Sequence, residues 1–167
     1  MELLIVRHGE ALPIDKQKIR KDTDRTLTSK GRKNTAQTAK VLNKMACKPQ
    51  LILTSPLVRA RQTAEILSKH LQTKAKTKET DSLKPGAPPD QILKELNDVR
   101  EPSIIITGHS PDLDHLASLL VSGDKSAKIQ LKKSSLCVIS FENKIIPGQG
   151  TLEWLLQPFQ INRITKK

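Results

Sequence analysis

Apolar residues in this chain cluster in short unbroken runs spaced by longer polar-periodic segments. Leu3-Leu4-Ile5-Val6, Leu51-Ile52-Leu53-Thr54 and Ile104-Ile105-Ile106-Thr107 are too short for buried helices and read as buried strands. Between them the spacing turns helical. Thr28 is placed to cap a helix over about 29–45, with Ala36, Ala39, Leu42 and Met45 recurring, and Pro49 ends it. Gly31 lies inside that segment and blurs its start, because an interior glycine costs about 1 kcal/mol. Ser55 followed by Pro56 predicts a second capped helix running to Leu71. Residues 74–80 read as a weak edge strand, 84–89 as a loop and Asp90 to Val99 as a helix with Ile92, Leu93 and Leu96 inward. A helix is expected from about Pro111 to Val121. Ser135–Phe141 and Thr151–Leu156 alternate as an antiparallel hairpin around Pro147-Gly148. Residues 8–27 are a polar loop.

Strands alternating with helices predict an α/β fold. It is a three-layer sandwich: a mostly parallel central sheet, helices on both faces and the hairpin extending it. No linker or repeat interrupts the pattern. The expectation is one domain over 1–160, with a flexible basic tail at 161–167.

The 167 residues suffice for a real core. Only Phe141, Trp154 and Phe159 are aromatic, so that core is aliphatic. No apolar run approaches the roughly 20 residues that span a bilayer. Met1-Glu2-Leu3 lacks the basic start of a signal peptide. Cys47 and Cys137 are read as reduced thiols. A cytoplasmic monomer without a membrane partner is expected. The net charge of +12, from 29 Lys and Arg against 17 Asp and Glu, favours anionic partners and could steer acidic protein domains. The cations are scattered and mostly lysine, and tyrosine is absent. Both facts argue against specific nucleic-acid binding.

The chemistry gathers at three strand ends. Arg7-His8-Gly9 follows the first, Ser55-Pro56-Leu57-Val58-Arg59 the second and Gly108-His109-Ser110 the third. Strand carboxyl ends are where α/β folds deliver functional residues. An imidazole such as His8 can attack phosphorus and hold the phosphoryl group, provided that it is neutral. Arg7 and Arg59 beside it favour the neutral form by like-charge repulsion and can fork onto phosphate oxygens. Gly9 allows close backbone approach. His109, if protonated, could stabilise charge on a phosphoryl oxygen, and Ser110 could bind the phosphate. Arg61 points elsewhere on its helix and reads as a surface ion pair. The serine-hydrolase elbow fails, because position 112 is Asp112. A metal cluster of His109, Asp112, Asp114 and His115 does not converge, since His109 precedes the helix that holds His115. The nucleotide-binding glycine loops are absent.

Four blocks in order carry a resemblance: Arg7-His8-Gly9-Glu10, Leu27-Thr28-x-x-Gly31, Thr54-Ser55-Pro56-Leu57-x-Arg59-Ala60-x-Gln62-Thr63-Ala64 and Gly108-His109. Together they resemble the histidine phosphatase (phosphoglycerate mutase-like) superfamily. The short chain, Leu83-x-Pro85-Gly86 and Trp154-x-x-Gln157-Pro158 are similar to its SixA-type phosphohistidine phosphatase branch. The resemblance covers about residues 2–158. It implies transient phosphorylation of His8, with Arg7, Arg59 and His109 around the phosphoryl group. It also implies no metal or organic cofactor. The implied substrate is a phosphohistidine on a protein, such as a phosphotransfer domain or a sugar-phosphotransfer carrier.

Ester-cleaving relatives carry an acid near the loop after the third strand. Here Glu79 and Asp81 are the candidate proton donors, and Ser82 can occupy that position instead. An alkoxide leaving group needs a strong donor. An imidazole, whose conjugate acid has a pKa near 6.5, does not. The missing clear acid therefore tilts the reading to P–N cleavage. The alternatives are a small-molecule phosphomonoesterase on the same scaffold and a non-catalytic phosphate-binding module.

Overall fold

Because its side chains alternate between two faces, a strand buried on both sides must be apolar throughout. Four strands here meet that condition. A computed structural model describes residues 1–14 and 21–166. Its six strands are β1 (Glu2–Arg7), β2 (Leu51–Thr54), β3 (Lys76–Glu79), β4 (Ser103–Gly108), β5 (Leu136–Ser140) and β6 (Thr151–Leu156). They form one sheet in the order β3-β2-β4-β1-β5-β6. The first three pairings along that order are parallel and the last two antiparallel. The chain is thus an α/β sandwich with a mostly parallel sheet and a C-terminal hairpin, as its pattern predicts.

The helices are α1 (Ser29–Lys44), α2 (Val58–His70), α3 (Pro89–Asp98), α4 (Asp112–Ser122) and α5 (Pro158–Thr165). Leu4, Val6, Ile52, Ile105 and Val138 pack on one face with Leu42 of α1, Leu67 of α2 and Ile161 of α5. Leu3, Ile5, Leu53, Ile104 and Ile106 pack on the other with Leu96 of α3 and Leu116 and Leu120 of α4. The edge strand β3 is exposed along its length, and its lysines discourage pairing with other chains.

Register positions the site. Arg7 pairs with Gly108, and Thr54 with Thr107, so β1, β2 and β4 end at nearly the same level. The ladder continues for one step beyond, as His8 N donates to Gly108 O at 3.1 Å and Ser55 N to Thr107 O at 3.0 Å. His8, Ser55 and His109 therefore leave the sheet side by side.

Two expectations need correction. Ser55 does not cap α2: the helix starts at Val58 and its N-cap, Leu57, has no side-chain cap. The serine hydroxyl lies 2.9 Å from His109 Nε2 and accepts from Leu57 N at 3.4 Å, ahead of the helix. Thr28, by contrast, does cap α1, accepting from Gly31 N at 3.0 Å. The expected basic tail from 161 is instead helical through Thr165. Gln157 and Gln160 cap α5 reciprocally, Ile161 is buried against α1, and Lys44 Nζ donates to Ile164 O at 2.8 Å. Glutamine is an uncommon N-cap, so Pro158 in the first turn is the main start signal in the sequence pattern. Part of the polar loop, residues 15–20, lies outside the described residues.

Gly31 sits where α1 crosses the loop after β1. A Cβ there would collide with the Glu10 carbonyl and come within 2.8 Å of its amide nitrogen. Alanine is the better helix former by about 1 kcal/mol, but overpacking against backbone costs about 1–3 kcal/mol. Gly31→Ala is therefore expected to lower Tm, by a few degrees in calorimetry; a rise in Tm would contradict the close approach.

Candidate active site

His8 is buried at the end of β1, with 6 % of its surface exposed. Its Nδ1 lies 2.7 Å from the Gly9 carbonyl oxygen. A carbonyl only accepts, so Nδ1 carries the proton and Nε2 holds a free lone pair. Arg59 Nε donates to that Nε2 at 3.3 Å. Burial, above all, lowers the His8 pKa to about 3; the nearby His109, Arg59 and Arg7 push the same way, against the Gly9 hydrogen bond. The imidazole is consequently neutral across the ordinary pH range, with its Nε2 lone pair unprotonated.

Arg59 enters from the first turn of α2 and is 5 % exposed. Its Nη1 donates to Asp22 O at 2.7 Å and its Nη2 to Asp22 Oδ2 at 2.9 Å. Arg25 Nη1 holds the other carboxylate oxygen of Asp22 at 3.0 Å. Partial burial works to raise the Asp22 pKa, but the hydrogen bonds from Arg25 and Arg59 outweigh it and hold the carboxyl below its usual range. Asp22 is thus a charged strut fixing the plane of the Arg59 guanidinium. Sequence reasoning missed it. Nothing in the polar loop distinguishes Asp22 from Asp24 until the chain is seen to return past α2.

Arg7 donates from Nη1 to Leu131 O at 2.7 Å, and its buried Nε has no partner among the described residues. Burial lowers its pKa, opposed by Asp114. His109 is 4 % exposed, with its ring centroid 5.1 Å from that of His8. Its Nε2 faces Ser55 Oγ, and its buried Nδ1 has no partner among the described residues. Burial, then the charge of Arg59, lowers its pKa to about 4, against the pull of Asp22. The free protein therefore holds His109 neutral, not protonated. An arriving phosphoryl dianion would raise that pKa again.

Other motif residues have structural duties. Thr63 Oγ1 donates to Arg59 O at 2.8 Å and accepts from Gly9 N at 3.1 Å, joining α2 to the loop after β1. Gln62 accepts from Leu27 N at 2.8 Å. Ser110 Oγ donates to Asp114 Oδ1 at 2.8 Å, so its hydroxyl proton is spent away from a phosphate.

The two candidate donors do not join the cluster. Glu79 pairs with Arg61 at 3.6 Å and Asp81 with Lys84 at 2.8 Å, both on exposed surface. The Arg61 surface pair matches its sequence reading. Ser82 does reach the site, lining with His109 a cavity of about 170 Å³ floored by Leu83, Ile92, Leu113 and Leu116. Among the described residues, no group of three or more His, Cys, Asp and Glu could hold a metal ion. No helix there is long and apolar enough to cross a membrane.

Arg59 thus bonds His8, His8 lies 5.1 Å from His109 between ring centroids, and Arg7 precedes His8 at the end of β1. The sequence model of the histidine phosphatase superfamily (branch 1) matches residues 3–84. The chain belongs to that superfamily. It is a phosphatase of this group by its sequence match. It is 34% identical over 139 residues to an uncharacterized protein from Picosynechococcus sp. (strain ATCC 27264 / PCC 7002 / PR-6), covering 81% of this chain and 82% of that one. It is 36% identical over 89 residues to the mitochondrial serine/threonine-protein phosphatase Pgam5 of Drosophila pseudoobscura pseudoobscura, over 52% of this chain but only 29% of that protein. In three dimensions it is similar to the protein histidine phosphatase SixA complexed with tungstate, with a TM-score of 0.84 and 23% identity over 96% of this chain and 99% of that one.

The buried neutral imidazoles make stability depend on pH. In the unfolded chain each histidine takes up a proton near pH 6.5; in the folded chain His8 and His109 resist protonation down to about 3 and about 4. The unfolded state thus binds more protons below 6.5, and stability falls as pH falls through that window. At pH 5 the loss relative to pH 7 is about 2 kcal/mol per histidine. Denaturant unfolding at the two pH values measures it, and equal stabilities would contradict neutral burial.

Proposed function

We propose that the protein hydrolyses the P–N bond of phosphohistidine on a partner protein, with His8 as the nucleophile. One observation carries this reading. The neutral His8 Nε2 lies beside Arg59, while Glu79 and Asp81, the acids expected of an ester-cleaving site, are engaged at the surface. In the first step Nε2 attacks phosphorus and the substrate's P–N bond breaks. The electron pair stays on the departing imidazole nitrogen, which takes a proton from water. In the second step water attacks the phosphoryl group on His8. The new P–N bond breaks, inorganic phosphate leaves and His8 Nε2 regains its lone pair. Arg59 and Arg7 spread the charge on the equatorial oxygens, and the unpartnered His109 Nδ1 contributes a further hydrogen bond. No cofactor enters either step. Similarity to a protein histidine phosphatase that binds tungstate, a tetrahedral oxyanion like phosphate, supports this assignment.

Trapping tests it. Enzyme mixed with a ³²P-phosphohistidine protein and quenched in base is expected to carry label on His8. Label elsewhere, or ester turnover that outpaces P–N turnover and depends on Asp81 or Glu79, would overturn it.

Removing the Arg59 guanidinium leaves developing charge unpaired. Arg59→Ala is expected to reduce kcat/KM on the order of 10³-fold, read by steady-state kinetics, with Arg59→Lys recovering only a small part because one ammonium cannot fork.

A further inference from the structure

Beyond Arg7, on the side of the pocket away from the 170 Å³ cavity, lies an open cleft of about 380 Å³. It is lined by Arg7, Glu10, Lys30, Asn34, Lys132, Lys133 and Pro158. Among the described residues, four cations and one carboxylate line it. Glu10 is held by Lys30 at 3.2 Å, and the charge of Lys133 also lowers its pKa, so both lysines stand over it. Lys132 and Lys133 are exposed. The cleft ends on Arg7, which lacks a carboxylate within ion-pair distance among the described residues. Immediately past Pro158 stands Phe159, 62 % exposed, with the Arg163 guanidinium 4.6 Å from its ring centroid. Exposed aromatic and arginine side chains together are the composition of protein-binding hot spots.

We propose that this cleft is a docking site for an acidic surface segment of the phosphorylated partner protein, with Phe159 and Arg163 as its apolar margin. The proposal rests on the phosphohistidine reading and specifies its substrate: a protein whose carboxylates flank the phosphorylated side chain. The cleft shares Arg7 with the candidate phosphoryl site, next in the chain to His8, so a protein presenting its phosphate there has this cleft beside it. Carboxylates there meet excess positive charge, which speeds encounter and fixes orientation. The pocket itself recognises the phosphoryl group whatever carries it.

The test is a charge reversal that leaves the pocket intact. Lys132→Glu with Lys133→Glu is compared with Lys69→Glu with Lys74→Glu. The second pair changes net charge equally, at exposed positions near the far end of α2. Substrates are an acidic phosphohistidine protein and free phosphohistidine. The cleft variant is expected to raise KM for the protein about tenfold at low salt and much less at high salt, with free phosphohistidine unchanged. The control should change neither. Equal losses on both substrates, no loss on either, or the same loss in the control would overturn the docking site. Binding of a fluorescent oligo-glutamate peptide is measured in parallel. Peptide binding that needs Lys132 and Lys133 and weakens in Phe159→Ala supports the cleft even if no phosphohistidine is turned over, a result that would count only against the proposed chemistry. Tighter binding of an RNA oligonucleotide than of the peptide would assign the cleft to nucleic acid and overturn the proposal.

Discussion

Across the two parallel ladders Arg7 stands opposite Gly108, and Thr54 opposite Thr107. A slip of one residue would turn every side chain of a strand to the other face. It would swap the faces on which His8 or His109 follows its strand and move it off the shared level. The apolar runs that fill both layers therefore also set the level at which the polar residues emerge. The buried hydroxyl pair of Thr54 and Thr107, 2.7 Å apart, marks the last rung before the site begins. Gly9 and Gly31 then let the loop after β1 lie against α1, and Thr63 ties that loop to α2.

The price of this arrangement is local instability. Two neutral imidazoles and the Arg59 guanidinium are buried beside the half-buried Arg7, and among the described residues Asp22 is the one carboxylate that pairs with Arg59. Arg7 Nε and His109 Nδ1 are buried without partners, and buried polar groups left unpaired cost roughly 1–3 kcal/mol each. Such orphans cluster where a ligand is meant to supply the missing partner. A phosphoryl group offers acceptor oxygens to both. The same burial that destabilises the free protein keeps His8 unprotonated, as the proposed attack requires.

On either side of the pocket the surroundings differ. Toward α3 and α4 the lining mixes Leu83, Ile92, Leu113 and Leu116 with Lys84, Asp112, His115 and Lys125; toward α1 and α5 it is mostly cationic. An isolated small ester has little use for an open lysine-lined cleft, whereas a protein presenting a phosphorylated side chain must rest its flanking surface on something. That asymmetry links the chemistry at His8 to the excess of basic residues over the chain.

The runs at β1, β2 and β4, the helical spacing of Ala39 and Leu42, and the punctuation by Pro49 and Thr28 are local signals, so the sandwich and most of its elements were legible from the residues alone. So were Arg7, His8, Arg59 and His109 as candidates, because each follows an apolar run or opens a helix and its chemistry is intrinsic to its side chain. Tertiary structure decided the rest. Asp22 matters only because its loop returns past Arg59. Ser55 leaves its helix because His109 stands beside it, and α5 forms because α1 offers Ile161 a place to bury. Local propensity is written in neighbours along the chain; neutrality of an imidazole, pairing of a carboxylate and the worth of a weak helix are set by neighbours in space, which the chain acquires only once it is folded.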